Sequence, residues 1–137
     1  MDLEFVDTNV IVRAVTDDDL NQKERARRLF RRVEDGEAIL TTCESVLVEV
    51  VQVLSSKRLY GWPRGAIRDY LVGLLNLVGF QIPGKRSYLR ALELYGSTNI
   101  DFVDALNIAH MERAGITTIL SFDKDFDDVP DINRREP

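Results

Sequence analysis

Apolar residues along the chain fall into two rhythms. LEFV (3–6), AIL (38–40), GFQI (79–82) and TTILSF (117–122) are short apolar runs that predict strands, the first a buried one ending at Asp7. A short fifth strand is predicted near Ile132. Between these runs the apolar spacing becomes helical. Residues 9–14 read as the first turns of a helix. Residues 21–34 read as a charged amphipathic helix, with Ala26, Leu29, Phe30 and Val33 inward and Gly36 just past its end. Thr41 and Glu44 have the spacing of a capping box, opening a helix to about Lys57. Pro63 suits the first turn of a helix running to roughly Leu77. Two more helices are predicted at 86–95 and 101–113, the latter stopped by Gly115. Strands separated by helical stretches predict an α/β fold with a mostly parallel central sheet flanked by helices. No repeat, linker or low-complexity segment interrupts it, so a single domain over 1–137 is expected.

Composition narrows the chemistry. The chain has one histidine, His110, and one cysteine, Cys43. Histidine-pair catalysis, His-rich zinc sites and an internal disulfide are excluded. Cys43 reads as a small core residue of a protein in a reducing compartment. Any metal would have to be held by oxygen ligands, which favours Mg²⁺ or Mn²⁺. MDLEFVD has neither a basic start nor an apolar leader segment, and no apolar run is long enough to span a bilayer, so a cytoplasmic protein is expected. The net charge of −5 does not suit nonspecific coating of nucleic acid. Two basic clusters stand out even so: Lys23, Arg25, Arg27, Arg28, Arg31 and Arg32, and then Lys57, Arg58, Arg64 and Arg68.

The carboxylates are less ordinary. NIDFVDALNIAH (99–110) reads as a helix with little polar face, yet Asp101, Asp104 and Asn107 run through it at i, i+3, i+6, along one ridge. An ionised carboxylate taken from water without a partner is costly. A dipole role in the first turn is worth only about 0.3–1 kcal/mol at a surface. Asp101 stands where a helix N-cap belongs. Glu49 sits inside VLVEVVQVL on a narrow stripe with Ser45, Gln52 and Ser56, and no basic residue lies at i±3 or i±4. Asp7 and Asp123 each follow a strand, where sites gather in open parallel sheets. Aspartate is also a common turn and cap residue there.

Taken in order, VDTNV, the lone glutamate of SVLVEVVQVL, DFVDALNIAH and LSFDKDFD resemble PIN-domain ribonucleases, and VapC-type toxins of toxin–antitoxin pairs in particular. The resemblance covers essentially the whole chain. It implies that Asp7, Glu49, Asp104 and Asp123 form an acidic, metal-binding catalytic quartet, supported by Thr8, Asn9 and Ser121, with Asp101 an optional further acid. It implies a PIN-like strand order of 3-2-1-4-5, a Mg²⁺- or Mn²⁺-dependent endoribonuclease, an RNA substrate, a small cognate antitoxin and a homodimer. Two unit charges about 4 Å apart repel by roughly 4 kcal/mol at an effective dielectric near 20. Converging carboxylates therefore need cations or raised pKa values. One or two divalent ions would activate water and stabilise the leaving 3′ oxygen of a phosphodiester, while the basic clusters hold phosphates beyond the acidic site. A phosphatase with an aspartate nucleophile would want a second acid where Asn9 stands. A PIN-fold module that binds RNA or protein without cutting is the alternative.

Overall fold

The N-terminal strand β1 (Leu3–Phe5) lies parallel to β2 (Ile39–Thr41) in the computed structural model of the chain, which describes all 137 residues. Leu3 registers with Ile39, Glu4 with Leu40 and Phe5 with Thr41. The ladder continues one residue further: the Val6 N–H donates to the Thr41 carbonyl at 2.9 Å, and the buried Thr42 hydroxyl donates to the Val6 carbonyl at 2.8 Å. Both backbone polar groups of Val6 are thereby satisfied, which fixes the point where the chain leaves the sheet at Asp7.

Two compact units divide the chain, Met1–Lys85 and Arg86–Pro137. The first contains β1, α1 (Thr8–Arg13), α2 (Leu20–Glu34), β2, α3 (Glu44–Ser55) and α4 (Arg64–Leu75). Ile11, Leu40, Leu47, Val50, Leu54, Ile67, Leu71 and Phe80 are sealed in its core. The Tyr70 hydroxyl donates to the Ile11 carbonyl at 2.6 Å, tying α4 to α1. The second unit comprises α5 (Lys85–Ser97), α6 (Phe102–Ala114), β3 (Thr118–Leu120), a 3-10 turn (Lys124–Asp128) and β4 (Asn133–Arg135). β3 and β4 run parallel, with Thr118 opposite Asn133. Tyr95 meets Phe102 edge-on at 5.8 Å in this unit's core. Helix α6 ends at Gly115, whose φ of 72° is the left-handed conformation that glycine adopts at least cost.

Four expectations are corrected. LEFV is not a buried strand: Leu3 and Phe5 are 51% and 58% exposed, and only Val6 is buried. β1 has a strand partner on one side only, so its side chains lack the cover a central strand receives. GFQI makes no regular strand. It contributes an isolated parallel bridge between Phe80 and Leu40, held by the Leu40 N–H to the Gly79 carbonyl at 2.8 Å and the Gln81 N–H to the Leu40 carbonyl at 2.7 Å. The capping box fails because Thr41 still belongs to β2, and Cys43 occupies the N-cap of α3 without a side-chain cap bond. Cys43 is also exposed rather than in the core, its Sγ 3.1 Å from the Ser45 hydroxyl, which holds the thiol pKa below its usual range.

Gly79 admits a direct test. A Cβ there would lie 2.8 Å from Val33 Cγ1 and 2.9 Å from the Ala38 carbonyl, whereas one on Gly73 would meet nothing. Gly79→Ala is expected to lose about 1–3 kcal/mol of stability through overpacking. Gly73→Ala, inside α4, should gain about 0.5–1 kcal/mol. Urea unfolding midpoints read both; equal midpoints for the two variants would contradict this packing.

Candidate active site

The first unit carries two of the sequence-predicted acids. Asp7 is the N-cap of α1, and its Oδ1 accepts the Thr8 N–H at 2.8 Å. This bond orients the carboxylate beyond the end of β1 and leaves its second oxygen available. Thr8 is buried beneath it, and Asn9 is exposed in the first turn of α1. Glu49 lies on the exposed stripe of α3 that also carries Ser45 and Gln52. The stripe is a solvent face, as periodicity allowed. What distinguishes Glu49 is that it makes no ion pair or hydrogen bond, on a helix with no basic residue.

The second unit carries the others, and here the carboxylates interact. Phe102, Ala105, Leu106, Ile108 and Ala109 of α6 are buried, which leaves Asp104 half-buried on the ridge expected from its spacing. Burial first, then the neighbouring Asp123, Asp101 and Asp125 carboxylates, push the Asp104 carboxyl above the usual carboxylate range. These are the signatures of desolvation and like-charge repulsion. Asp101 occupies the N-cap position, but its side chain caps nothing; its backbone carbonyl accepts the Ala105 N–H at 2.9 Å instead. The expected capping role is therefore corrected, and the Asp101 carboxylate is left without that structural use.

Asp123 is held by its own loop. Its N–H donates to the Ser121 hydroxyl at 3.0 Å, and its Oδ1 accepts the Asp125 N–H at 2.9 Å to open the 3-10 turn. Ser121 thus positions the backbone of Asp123. Two contributors escaped sequence reasoning. Asp125 was hidden in the acid-rich run DKDFDD, where spacing alone does not say which carboxylate turns towards α6. Arg134 was the other: its guanidinium grips Asp127 with two bonds of 2.8 and 3.2 Å, and also donates to the Ser121 carbonyl and to Glu136, both at 3.1 Å. It braces the loop at both ends and holds the Asp127 carboxyl below its usual range.

No three His, Cys, Asp or Glu side chains converge as a ready-made cation cage. The donors present are nonetheless all carboxylate and amide oxygens, the set that hard divalent cations such as Mg²⁺ and Mn²⁺ accept. The mutual repulsion around Asp104 is the kind of cost that a cation would relieve.

Three of the six cations in the basic segment 23–32 have carboxylate partners. Lys23 pairs with Asp17 at 2.6 Å, and Arg28 and Arg31 share Glu24 at 3.6 and 3.3 Å.

The sequence matches the PIN domain family over residues 5–132, and the chain belongs to that family. No curated protein matches it. PIN domains are commonly nucleases, typically metal-dependent ones, and those nucleases bind RNA. No helix of the chain is long and apolar enough to cross a membrane.

The raised Asp104 pKa carries a sign. A carboxyl whose folded pKa lies above its unfolded value lends stability below the unfolded pKa and loses it as pH rises through the folded one. At neutral pH without metal, ionised Asp104 therefore costs stability. Asp104→Asn is expected to melt at or above the wild-type temperature in EDTA at pH 7, and the difference should vanish below the ordinary carboxylate range. Added Mn²⁺ should raise the wild-type melting temperature and leave the variant nearly unmoved. A variant less stable than wild type in EDTA at pH 7 would contradict this.

Proposed function

We propose that the chain is a single PIN domain acting as a metal-dependent endoribonuclease, the toxin of a type II toxin–antitoxin pair, with Asp7, Glu49, Asp104 and Asp123 as its metal-binding and catalytic quartet. The observation that carries this reading is Asp104, set among three other carboxylates, its carboxyl raised first by burial and then by those neighbours. A residue kept for fold alone would pair such a charge or leave it in water. Family membership supplies the second support.

In this reading the strand order is 3-2-1-4-5, with β3 and β4 as the fourth and fifth strands and the Phe80 segment as the third. Support comes from each unit by itself. β1 leaves Leu3 and Phe5 exposed, the β3 segment leaves Leu120 and Phe122 exposed, and both strands have a partner on one side only. Exposed apolar strands of that kind call for cover.

The division of labour follows from the side chains. Mg²⁺ or Mn²⁺ held by the quartet would activate water and stabilise charge on the phosphodiester and its leaving 3′ oxygen. Asp7, locked by its cap bond, and Asp123, locked by Ser121 and the 3-10 turn, are pre-oriented oxygen donors that need little rearrangement. Asp104, whose proton is held more tightly than an ordinary carboxyl's, is suited to accept and release a proton as charge in the site changes. Thr8 and Asn9 support Asp7 from α1, and Asp101 stands beside Asp104.

The remaining parts of the proposal are a cytoplasmic setting, a homodimer and a small antitoxin partner. For the partner, the groove of about 530 Å³ in the first unit suits an amphipathic segment, with apolar Phe30, Leu74 and Leu77 beside charges of both signs, Arg27 and Arg31 with Glu34 and Asp69. The second reading, a PIN fold that binds without cutting, predicts no cleavage with any metal.

The test is cleavage of a labelled RNA in Mg²⁺ and in EDTA. The wild type should cut only with metal. Asp7→Asn, Glu49→Gln, Asp104→Asn and Asp123→Asn should each lower the rate by about 10²-fold or more, the size of loss seen when one electrostatic stabiliser is removed, with unchanged circular dichroism. Asp101→Asn should be milder than Asp104→Asn. Two or more quartet variants cutting at wild-type rates in limiting Mg²⁺ would overturn the assignment.

A further inference from the structure

We infer that the cavity between α1 and α2 in the first unit is a binding subsite for one nucleotide of a single-stranded RNA, an inference that rests on the RNA-cleaving reading above for its choice of ligand. The cavity measures about 360 Å³. That lies at the lower end of the roughly 300–1,000 Å³ typical of small-ligand sites, room for one nucleotide unit and not for a duplex. Its apolar wall is made by Val10, Ala26 and Leu29, and its polar rim by Asn9, Arg13, Gln22 and Arg25. No acidic side chain lines it.

The polar groups fall into two kinds. Arg13 is fixed and compensated: its Nε donates to Gln22 Oε1 at 3.0 Å, and its Nη1 donates to Asp18 at 3.1 Å and to the Tyr60 hydroxyl at 3.4 Å. Using the Gln22 oxygen in this way leaves the Gln22 amide nitrogen as a free donor. On α2, Lys23, Arg28 and Arg31 all have carboxylate partners, while Arg25 has no ion pair or hydrogen bond. Arg27 and Arg32 of α2 also lack carboxylate partners, but Arg25 is the unpaired cation that lines this cavity. In a chain of net charge −5, an exposed guanidinium at the rim of an acid-free cavity is an anion site by chemistry. Its planar donors match a phosphate.

An apolar wall suits the face of a base, and the Asn9 and Gln22 amides suit its hydrogen-bonding edge. Asn9 is two residues from Asp7, so a nucleotide seated here would lie near the acid that begins the proposed quartet. A cation or basic peptide is disfavoured by the uncompensated Arg25, and an apolar ligand by the four polar side chains.

The test is RNA binding in EDTA at low salt, where metal-dependent cutting cannot enter. The probe is a fluorescein-labelled eight-nucleotide single-stranded RNA, followed by anisotropy. Arg25→Ala should weaken binding about tenfold and lower the salt-dependence slope by about 0.7. Val10→Trp, which fills the cavity, should weaken it comparably. Arg28→Ala, whose partner is Glu24, should bind as wild type does. In amide NMR spectra, uridine monophosphate should perturb residues 9–13 and 22–29. Arg25→Ala alters only an exposed side chain, so it stands as a test even if Val10→Trp misfolds. Wild-type affinity and slope in Arg25→Ala would overturn the subsite, as would mononucleotide shifts confined to other residues. The same unchanged RNA affinity is what a cavity reserved for a protein segment would give. A wild type that binds RNA through Arg25 but never cuts it would sink the nuclease reading and leave the subsite standing. A nuclease indifferent to Arg25 would do the reverse.

Discussion

Burial of Asp104, with like charges beside it, is the constraint on which the proposed chemistry depends. Helix α6 must bury Phe102, Ala105, Leu106, Ile108 and Ala109, and this burial carries Asp104 partly out of water towards Asp101, Asp123 and Asp125. A carboxylate partly removed from water and facing like charges is costly to ionise. Two arginines of the second unit are committed to other carboxylates. Arg90 pairs with Glu112, and Arg134 with Asp127 and Glu136. Of the acids paired in this way, Glu112 belongs to α6, while Asp127 and Glu136 brace the loop and the end of the chain. Asp104 and the three acids around it have no basic partner within the chain.

The first unit shows the same division in cationic form. Lys23, Arg28 and Arg31 are spent on carboxylates of the chain itself, whereas Arg25 is left open at an acid-free cavity. A protein with net charge −5 is poorly suited to hold RNA by bulk attraction. It can hold RNA with a few uncompensated arginines at chosen places, more tightly once metal neutralises the acidic centre. The two kinds of unpaired charge, carboxylates in one region and a guanidinium in another, are what a nuclease needs and a purely structural domain does not.

Helices were far more legible in the sequence than strands. The α2 and α6 boundaries follow from apolar spacing and from Gly36 and Gly115, because helical order is local and repeats over three or four turns. The strands are three residues long, too short to show a period, and their burial depends on what packs against them from distant sequence. That is why LEFV read as buried while Leu3 and Phe5 are exposed, and why GFQI read as a strand but forms one bridge. Cys43 was misplaced for a related reason: its apolar neighbours belong to α3, while Cys43 is the exposed residue before the helix. In the site, Asp104 was legible because a carboxylate in an apolar helix is anomalous in one dimension. Asp125 and Arg134 were not, since one lies in an acid-rich run and the other acts through contacts made only when β4 folds beside β3.

The most direct measurement of the central claim is a carboxyl carbon NMR titration of Asp104 with and without Mg²⁺. Without Mg²⁺ the Asp104 resonance should titrate above the ordinary carboxylate range, and saturating Mg²⁺ should move its titration sharply downwards. A titration at the ordinary carboxylate value that Mg²⁺ leaves unchanged would contradict it.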